Sequence, residues 1–340
     1  MLRTLFCFAV FLAVTATFVS ADRAAEPVRL IFDTDLGNDV DDTMALAVIH
    51  ALQNRAECEL LAVTVTKDNP YAAPMVAVVN QFYGRPNVPI AIVKNGPAKE
   101  DGKYNRQVLE LKDDAGNPRY SYDLPPVEQL PEAVSYLRKR LVAEPDGSVV
   151  LVQVGFFTNL ARLLDTPGDD ISPLTGKEII AKKVKLLSIM AAAFHNQPKF
   201  KEYNVVIDIP SAKEMIANWP TEMVFSGWEI GNQIQYPPKS MQDDFNYVKY
   251  HPVKDAYRFY RGGLDKNTST FDLTSVLYAV RPDRGYFDLS PKGTVKVNDD
   301  GTTTFEKSEN GKHRFLIVSP VQIAMVREAL VQLTSEPPQK

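Results

Sequence analysis

Cysteine is nearly absent from this chain, and the two that occur, Cys7 and Cys58, cannot form a lasting internal cross-link. Cys7 lies in an N-terminal segment that reads as removable. Arg3 opens it, Leu5 to Val19 is apolar apart from Thr15 and Thr17, and Val19-Ser20-Ala21 resembles a small-residue cleavage site before Asp22. The run is short for a hydrocarbon layer of ~30 Å, and Asp22-Arg23-Ala24-Ala25-Glu26 follows it directly. The expectation is a signal peptide over residues 1–21 and an exported, periplasmic or secreted, mature chain over 22–340. An uncleaved anchor or a lipid on Cys7 is the alternative. Cys58 would then stand alone, which excludes a disulfide framework, and no feature around it suggests an activated thiol. No other segment is long and apolar enough to span a bilayer, so no stable membrane span is expected after cleavage. Lysine and arginine nowhere form a block, and the net charge is −4. Phosphate-backbone binding requires a basic patch, so nucleic-acid polymers are not expected as ligands and a small neutral substrate fits better.

What is present is an ordinary globular composition, 45% hydrophobic and 24% charged, in a chain of 340 residues. Apolar runs at Val28–Phe32, Leu60–Thr66 and Val88–Val93 read as strands. The runs Thr43–Leu52 and Pro74–Tyr83 between them read as helices, the second with proline at its first position. This alternation predicts a mostly parallel sheet flanked by helices. Residues from about Asn95 to Pro126 interrupt it as a polar excursion or lid. It resumes with helix Pro131–Ala143, strand Val149–Val154, helix Thr158–Leu164, strand Val184–Met190, helix Ser211–Asn218 and strand Met223–Phe225. Helical stretches follow around Val253–Tyr260 and after Asp272. A β-hairpin region is expected between Thr294 and Val318, with turns at Asp299-Asp300-Gly301 and Glu309-Asn310-Gly311, and helix Pro320–Leu333 closes the fold. Neither repeats nor a linker divide the chain, so one α/β domain is expected.

The most informative segment is Asp33-Thr34-Asp35-Leu36-Gly37-Asn38-Asp39-Val40-Asp41-Asp42, with five carboxylates in ten residues between a strand and a helix. Ligands of open α/β sheets bind beyond the carboxyl ends of the strands, where this loop falls. Five close anions repel one another unless a cation sits among them. All the donors are hard oxygens with no histidine or cysteine beside them, which favours Ca²⁺ or Mg²⁺ over Zn²⁺. Helix capping is the competing explanation for Asp39, Asp41 and Asp42, but not for Asp33 and Asp35 at the strand end. A second alternative is a haloacid-dehalogenase-like phosphatase, which opens with Asp-x-Asp-x-Thr/Val and uses its first aspartate as nucleophile. Here Gly37 holds the Thr/Val position.

The same segment resembles the opening motif of the inosine-uridine preferring nucleoside hydrolase family, Asp-x-Asp-Pro-Gly-x-Asp-Asp, with two extra residues in the spacer. Further matches follow in order. They are Ala62-Val63-Thr64 with Asn69, Val154-Gly155-Phe156-Phe157-Thr158-Asn159-Leu160, Glu202-Tyr203-Asn204 with Asp208 and Ala212, and Asp272 with Leu277-Tyr278-Ala279. The resemblance covers roughly residues 28 to 330. It implies a single nucleoside-hydrolase-like domain that binds Ca²⁺ and cleaves the N-glycosidic bond of a nucleoside or other riboside. Asp35, Asp42, Asp272 and the carbonyl of Val154 would be metal ligands, within the ~6–8 oxygens calcium prefers. Asp41, Asn69, Glu202 and Asn204 would hold ribose hydroxyls, Met190 would pack near the sugar, and Asp35 would be the general base. A homodimer or homotetramer is a further expectation from the resemblance.

The leaving-group side departs from the family pattern. Phe271 stands where many members carry a proton-donating histidine. His195 is a candidate replacement, and Tyr104, Tyr120, Tyr122 and Phe271 are candidates to stack on a base. Thr158 and Asn159 are expected to cap a helix and hold backbone rather than touch substrate. Loss of leaving-group activation would instead leave a calcium-dependent nucleoside- or riboside-binding protein without turnover.

Overall fold

The computed structural model describes residues 26–194, 197 and 199–339. The segment read as a signal peptide lies outside the described residues. Ten strands form one sheet: β1 (Val28–Thr34), β2 (Cys58–Val65), β3 (Ile90–Ile92), β4 (Val149–Gln153), β5 (Val184–Met190), β6 (Glu222–Ser226), β7 (Asp288–Leu289), β8 (Gly293–Val297), β9 (Thr303–Lys307) and β10 (His313–Ile317). The order is β3-β2-β1-β4-β5-β6-β10-β8-β9, with β7 beside β10. The first six strands and β10 pair in parallel, as the βα alternation predicts. No helix among the described residues is long and apolar enough to cross a membrane.

Parallel strands covered on both faces read as continuous apolar runs, and the alternate residues divide between two cores. Leu30 and Phe32 of β1 and Val150 and Val152 of β4 face one cluster, shared with helices Asp41–Asn54, Phe271–Val280 and Pro320–Thr334. Ile31, Val149 and Leu151 face the other, shared with helices Ala133–Ala143, Thr158–Leu164, Gly176–Lys183 and Ile209–Asn218. Each such buried aliphatic or aromatic side chain contributes ~1.5–3 kcal/mol. Helix Asp41–Asn54 is buried from Asp41 to Leu52, which is why its sequence is apolar all round rather than striped.

The chain runs outward from β1 through β2 to β3, then returns to place β4 on the other side of β1. This reversal opens a crevice at the carboxyl ends of β1 and β4. The loops entering it approach closely. A side chain at Gly155, just past β4, would press on Thr66 Oγ1 and lie 2.6 Å from the Asp35 amide nitrogen. The polar excursion closes over the aspartate loop from outside. The Asn105 amide donates to Leu36 O at 2.8 Å and Lys103 N to Gly37 O at 2.7 Å, and Gly102 (φ +83°) lets the two backbones meet.

Three expectations change. The second helix starts at Ala72, so Pro74 is its third residue, still in the first turn, where no intrahelical acceptor awaits an N–H. The excursion contains a short helix, Asn105–Leu109. The first C-terminal turn closes the β8–β9 hairpin, but β10 does not fold back on β9. It pairs with β6 in parallel and meets β8 only at His313↔Gly293. The exposed edge of β6 and the stacking of Phe315 on Phe194 (ring centroids 4.3 Å apart) explain that choice.

Candidate active site

The five aspartates of the loop separate once folded. Asp33 turns into the sheet, where Oδ1 accepts from Thr64 Oγ1 at 2.5 Å and from Asn159 Nδ2 at 2.9 Å. It is buried and does not line the crevice, which corrects the phosphatase reading, since a nucleophile must reach its substrate. Asp39 turns outward to Lys103 Nζ (3.2 Å) and the Tyr260 hydroxyl (2.8 Å). Asp35, Asp41 and Asp42 face a cavity of about 160 Å³, whose lining Asp39 also joins.

Asp41 and Asp42 occupy the first turn of helix Asp41–Asn54, whose N-terminus has no side-chain cap, so neither acid serves as its cap. Asp272 occupies the first turn of helix Phe271–Val280. The two helix ends meet at the cavity, and the Asp272 amide donates to Asp41 Oδ2 at 3.2 Å. One carboxylate oxygen from each of Asp41, Asp42 and Asp272 lies within 4.8 Å of the others, and all three residues are buried. Helix N-termini favour anions there. Thr34, at the end of β1, donates its hydroxyl to Asp42 Oδ1.

Asp35 stands beside this trio. Its Oδ2 accepts from the Asn38 amide, and Asn38 Oδ1 accepts from the ammonium of Lys67. Burial, opposed by the hydrogen bond from Asn38 and the charge of Lys67, raises the Asp35 carboxyl to about 7. Burial also lifts Asp41, Asp42 and Asp272 well above the ordinary carboxylate range, and the neighbouring aspartates add to it.

The facing wall comes from the chain after β4 and β5. Glu202 caps helix Tyr203–Ile207, accepting from Asn204 N at 2.9 Å and Val205 N at 3.2 Å, and burial raises its carboxyl to about 7. Asn204 Nδ2 donates to Val154 O at 2.8 Å and Met190 O at 3.2 Å. Val154, Met190, Glu202 and Asn204 all line the cavity. At one end Phe271 stacks loosely on Trp228 (6.4 Å, 26°), which in turn meets Phe200 at 4.5 Å.

The structure thus brings Asp35, Asp41, Asp42, Val154, Met190, Glu202, Asn204, Phe271 and Asp272 to one cavity. It does not bring Asn69 there. The Asn69 amide group bonds to Glu100 O (2.7 Å), and its oxygen accepts from Tyr71 N and Ala72 N, where the helix Ala72–Phe82 begins. Of the tyrosines, Tyr104 is spent on Thr43 Oγ1 and Asp39 O, and Tyr120 on Asp255. Neither lines the cavity, nor does the exposed Tyr122. His195 lies outside the described residues. Asn159 holds Asp33 and the Val65 carbonyl (3.4 Å) and Thr158 Oγ1 donates to Asp208 (2.5 Å), structural bonds as expected, but the two are the first residues of helix Thr158–Leu164, whose N-terminus has no side-chain cap, so neither caps it. The sequence reading missed Asn38, Lys67, Phe200 and Trp228. Lys67 follows β2 and Trp228 follows β6, so the strand-end rule would have pointed to both.

Several solved structures share this architecture. The plant nucleoside hydrolase PpNRh1 is 21% identical, with 92% of this chain and 100% of that one covered at a TM-score of 0.66. A purine-preferring ribonucleoside hydrolase from Gardnerella vaginalis is 17% identical over 90% and 99% of the two chains, with a TM-score of 0.66. The type III effector protein XopQ, complexed with adenosine diphosphate ribose, is 15% identical over 91% and 94%, with a TM-score of 0.64. At such identities the likeness establishes the fold. No curated protein sequence matches the chain. Residues 30–328 match the model of the inosine-uridine preferring nucleoside hydrolases, and the chain belongs to that family of N-glycoside-cleaving enzymes.

Proposed function

We propose that this protein hydrolyses the N-glycosidic bond of a ribonucleoside in a calcium-dependent reaction, giving ribose and the free base. The convergence of Asp41, Asp42 and Asp272 carries the reading. Buried carboxylates this close repel strongly unless a cation joins them, and an all-oxygen set suits a hard divalent ion. Asp42 and Asp272 would hold calcium, with Asp35 and the carbonyl of Val154 as further donors, while Asp41 beside them faces the ribose. Calcium, when bound, supplies Lewis-acid activation on the ribose side.

The remaining roles belong to the chain. Asp35 accepts the proton of the water attacking C1′. Glu202 and the aspartates set a negative potential that favours the oxocarbenium-like ribosyl centre. Glu202, Asn204 and Asp41 hold the hydroxyls, and Met190 packs against the sugar. Phe271 and Trp228 offer ring faces to the base. Direct attack by water inverts C1′. The apolar N-terminal segment and the Val19-Ser20-Ala21 site support export of the mature chain.

The test is ribose release from inosine, uridine and adenosine by residues 22–340, with calcium and with a chelator. Release that needs calcium is expected. Tight nucleoside binding without any release would overturn the catalytic reading.

Metal-free stability offers a second check. Asp35 and Glu202, raised to about 7, hold protons in the folded state that the unfolded chain has released above about pH 4. Stability is therefore fully present below that pH and is lost as pH climbs through about 7. The chelated protein should melt at least about 5 °C lower at pH 8 than at pH 5.5, and calcium should restore the loss at pH 8. A melting temperature independent of pH and calcium would contradict this.

A further inference from the structure

We propose that Lys67 and Asn38 are positioning residues for the reaction, acting through Asp35; this rests on the role proposed above for Asp35. The side chain of Lys67 is completely buried, an environment lysine rarely occupies without partners. Its ammonium donates to Glu100 Oε1 at 2.6 Å and to Asn38 Oδ1. Asn38 donates its amide N–H to Asp35 Oδ2. Glu100 stands half-exposed at the rim, and its backbone oxygen is tied by Asn69 to the start of a helix. A continuous path therefore runs from an anchored rim residue, through a buried cation and an amide, to a carboxylate in the cavity wall.

The direction of this path follows from donor chemistry. An ammonium has three donors and no acceptor, so Asn38 must present oxygen to Lys67 and nitrogen to Asp35. The amide cannot flip without setting its N–H₂ against the ammonium and its oxygen against a carboxylate. Asp35 is thus held by one oxygen, Oδ2, which reserves Oδ1 for the cavity. The buried charge of Lys67 also offsets part of the repulsion around Asp35, the bland explanation for its presence. The two roles predict different outcomes. Removing a charge that only offsets repulsion would tighten calcium binding and leave kcat at saturating calcium unchanged, whereas losing a positioning residue lowers kcat even when calcium is saturating.

Two variants separate them. Lys67→Met keeps the length and apolar stem but removes the donor, and Asn38→Ala removes the amide from the cavity wall with little risk to folding. Each should lower kcat for ribose release by about 10- to 100-fold, the usual effect of losing an outer partner of a reacting group. KM at saturating calcium should stay within about threefold. The double variant should be no worse than the poorer single one, because both break the same path. Unchanged kcat in Asn38→Ala, or unchanged kcat with tighter calcium binding in Lys67→Met, overturns the proposal. Crystal structures of the variants give a readout independent of turnover: the Asp35 side chain should leave its wild-type rotamer, and an unmoved Asp35 overturns the positioning role. Wild-type protein inactive on every riboside would count against the proposed function, with the rotamer still deciding the role of Lys67 and Asn38.

Discussion

Asp35→Asn should lower kcat for ribose release by about a thousandfold, equivalent to ~4 kcal/mol of transition-state stabilisation. The substitution is isosteric, and the surroundings dictate how the new amide sits. Asn38 presents an N–H to Oδ2, so the amide oxygen at position 35 would take that place and its nitrogen would face the cavity. The group facing C1′ then becomes a donor with no capacity to accept a proton from water. Calcium should still bind, because Asp41, Asp42 and Asp272 remain gathered. Ribose release at several pH values, alongside calcium titration by calorimetry, checks the prediction. Retained turnover would remove Asp35 from the mechanism, and a parallel collapse of calcium affinity would make it chiefly a ligand.

The second large effect concerns the trio. Asp272→Asn should weaken calcium binding by at least about 100-fold and abolish ribose release at ordinary calcium concentrations. It should also raise the melting temperature of the chelated protein above that of chelated wild type. Removing one of three mutually repelling buried carboxylates relieves a cost that only the cation otherwise offsets. Opposite signs in affinity and metal-free stability distinguish a ligand from a residue that merely supports the fold, whose loss would lower both. Differential scanning fluorimetry with chelator and with calcium reads the two together.

Much of the frame was legible because its signals are local. The boundaries of helix Thr158–Leu164 and strand Val184–Met190 follow directly from apolar runs and turn residues. Helix Gly176–Lys183 escaped because its buried residues, Gly176, Ile179 and Ile180, make too short a stripe among lysines. The site residues from Asp35 to Asp272 were found as an ordered series of motifs, and nearly all reach one cavity. Asn69 fits the series yet its side-chain oxygen takes the Tyr71 and Ala72 amides where a helix begins, because an asparagine three residues before the first helical residue is equally suited to that task. Phe200 belongs to no motif, and nothing local distinguishes it from a core aromatic; Trp228 stands out only by its place just after β6.

The sequence alone determined that an acid-rich loop leaves a buried strand and enters a buried helix, since clustering and periodicity are properties of neighbouring residues. It determined the parallel βα order, and hence that this loop lies at the functional end of the sheet. Tertiary structure alone decided what each aspartate does. Asp33 was drawn into the sheet by Thr64 and Asn159, Asp39 outward by Lys103 and Tyr260, and Asp35 aside by Asn38. Asp41 and Asp42 were left to meet Asp272, which lies 231 positions from Asp41 along the chain. Carboxylates with identical chemistry acquire different roles only through partners that distant strands and helices deliver, and those deliveries depend on packing rather than on local pattern.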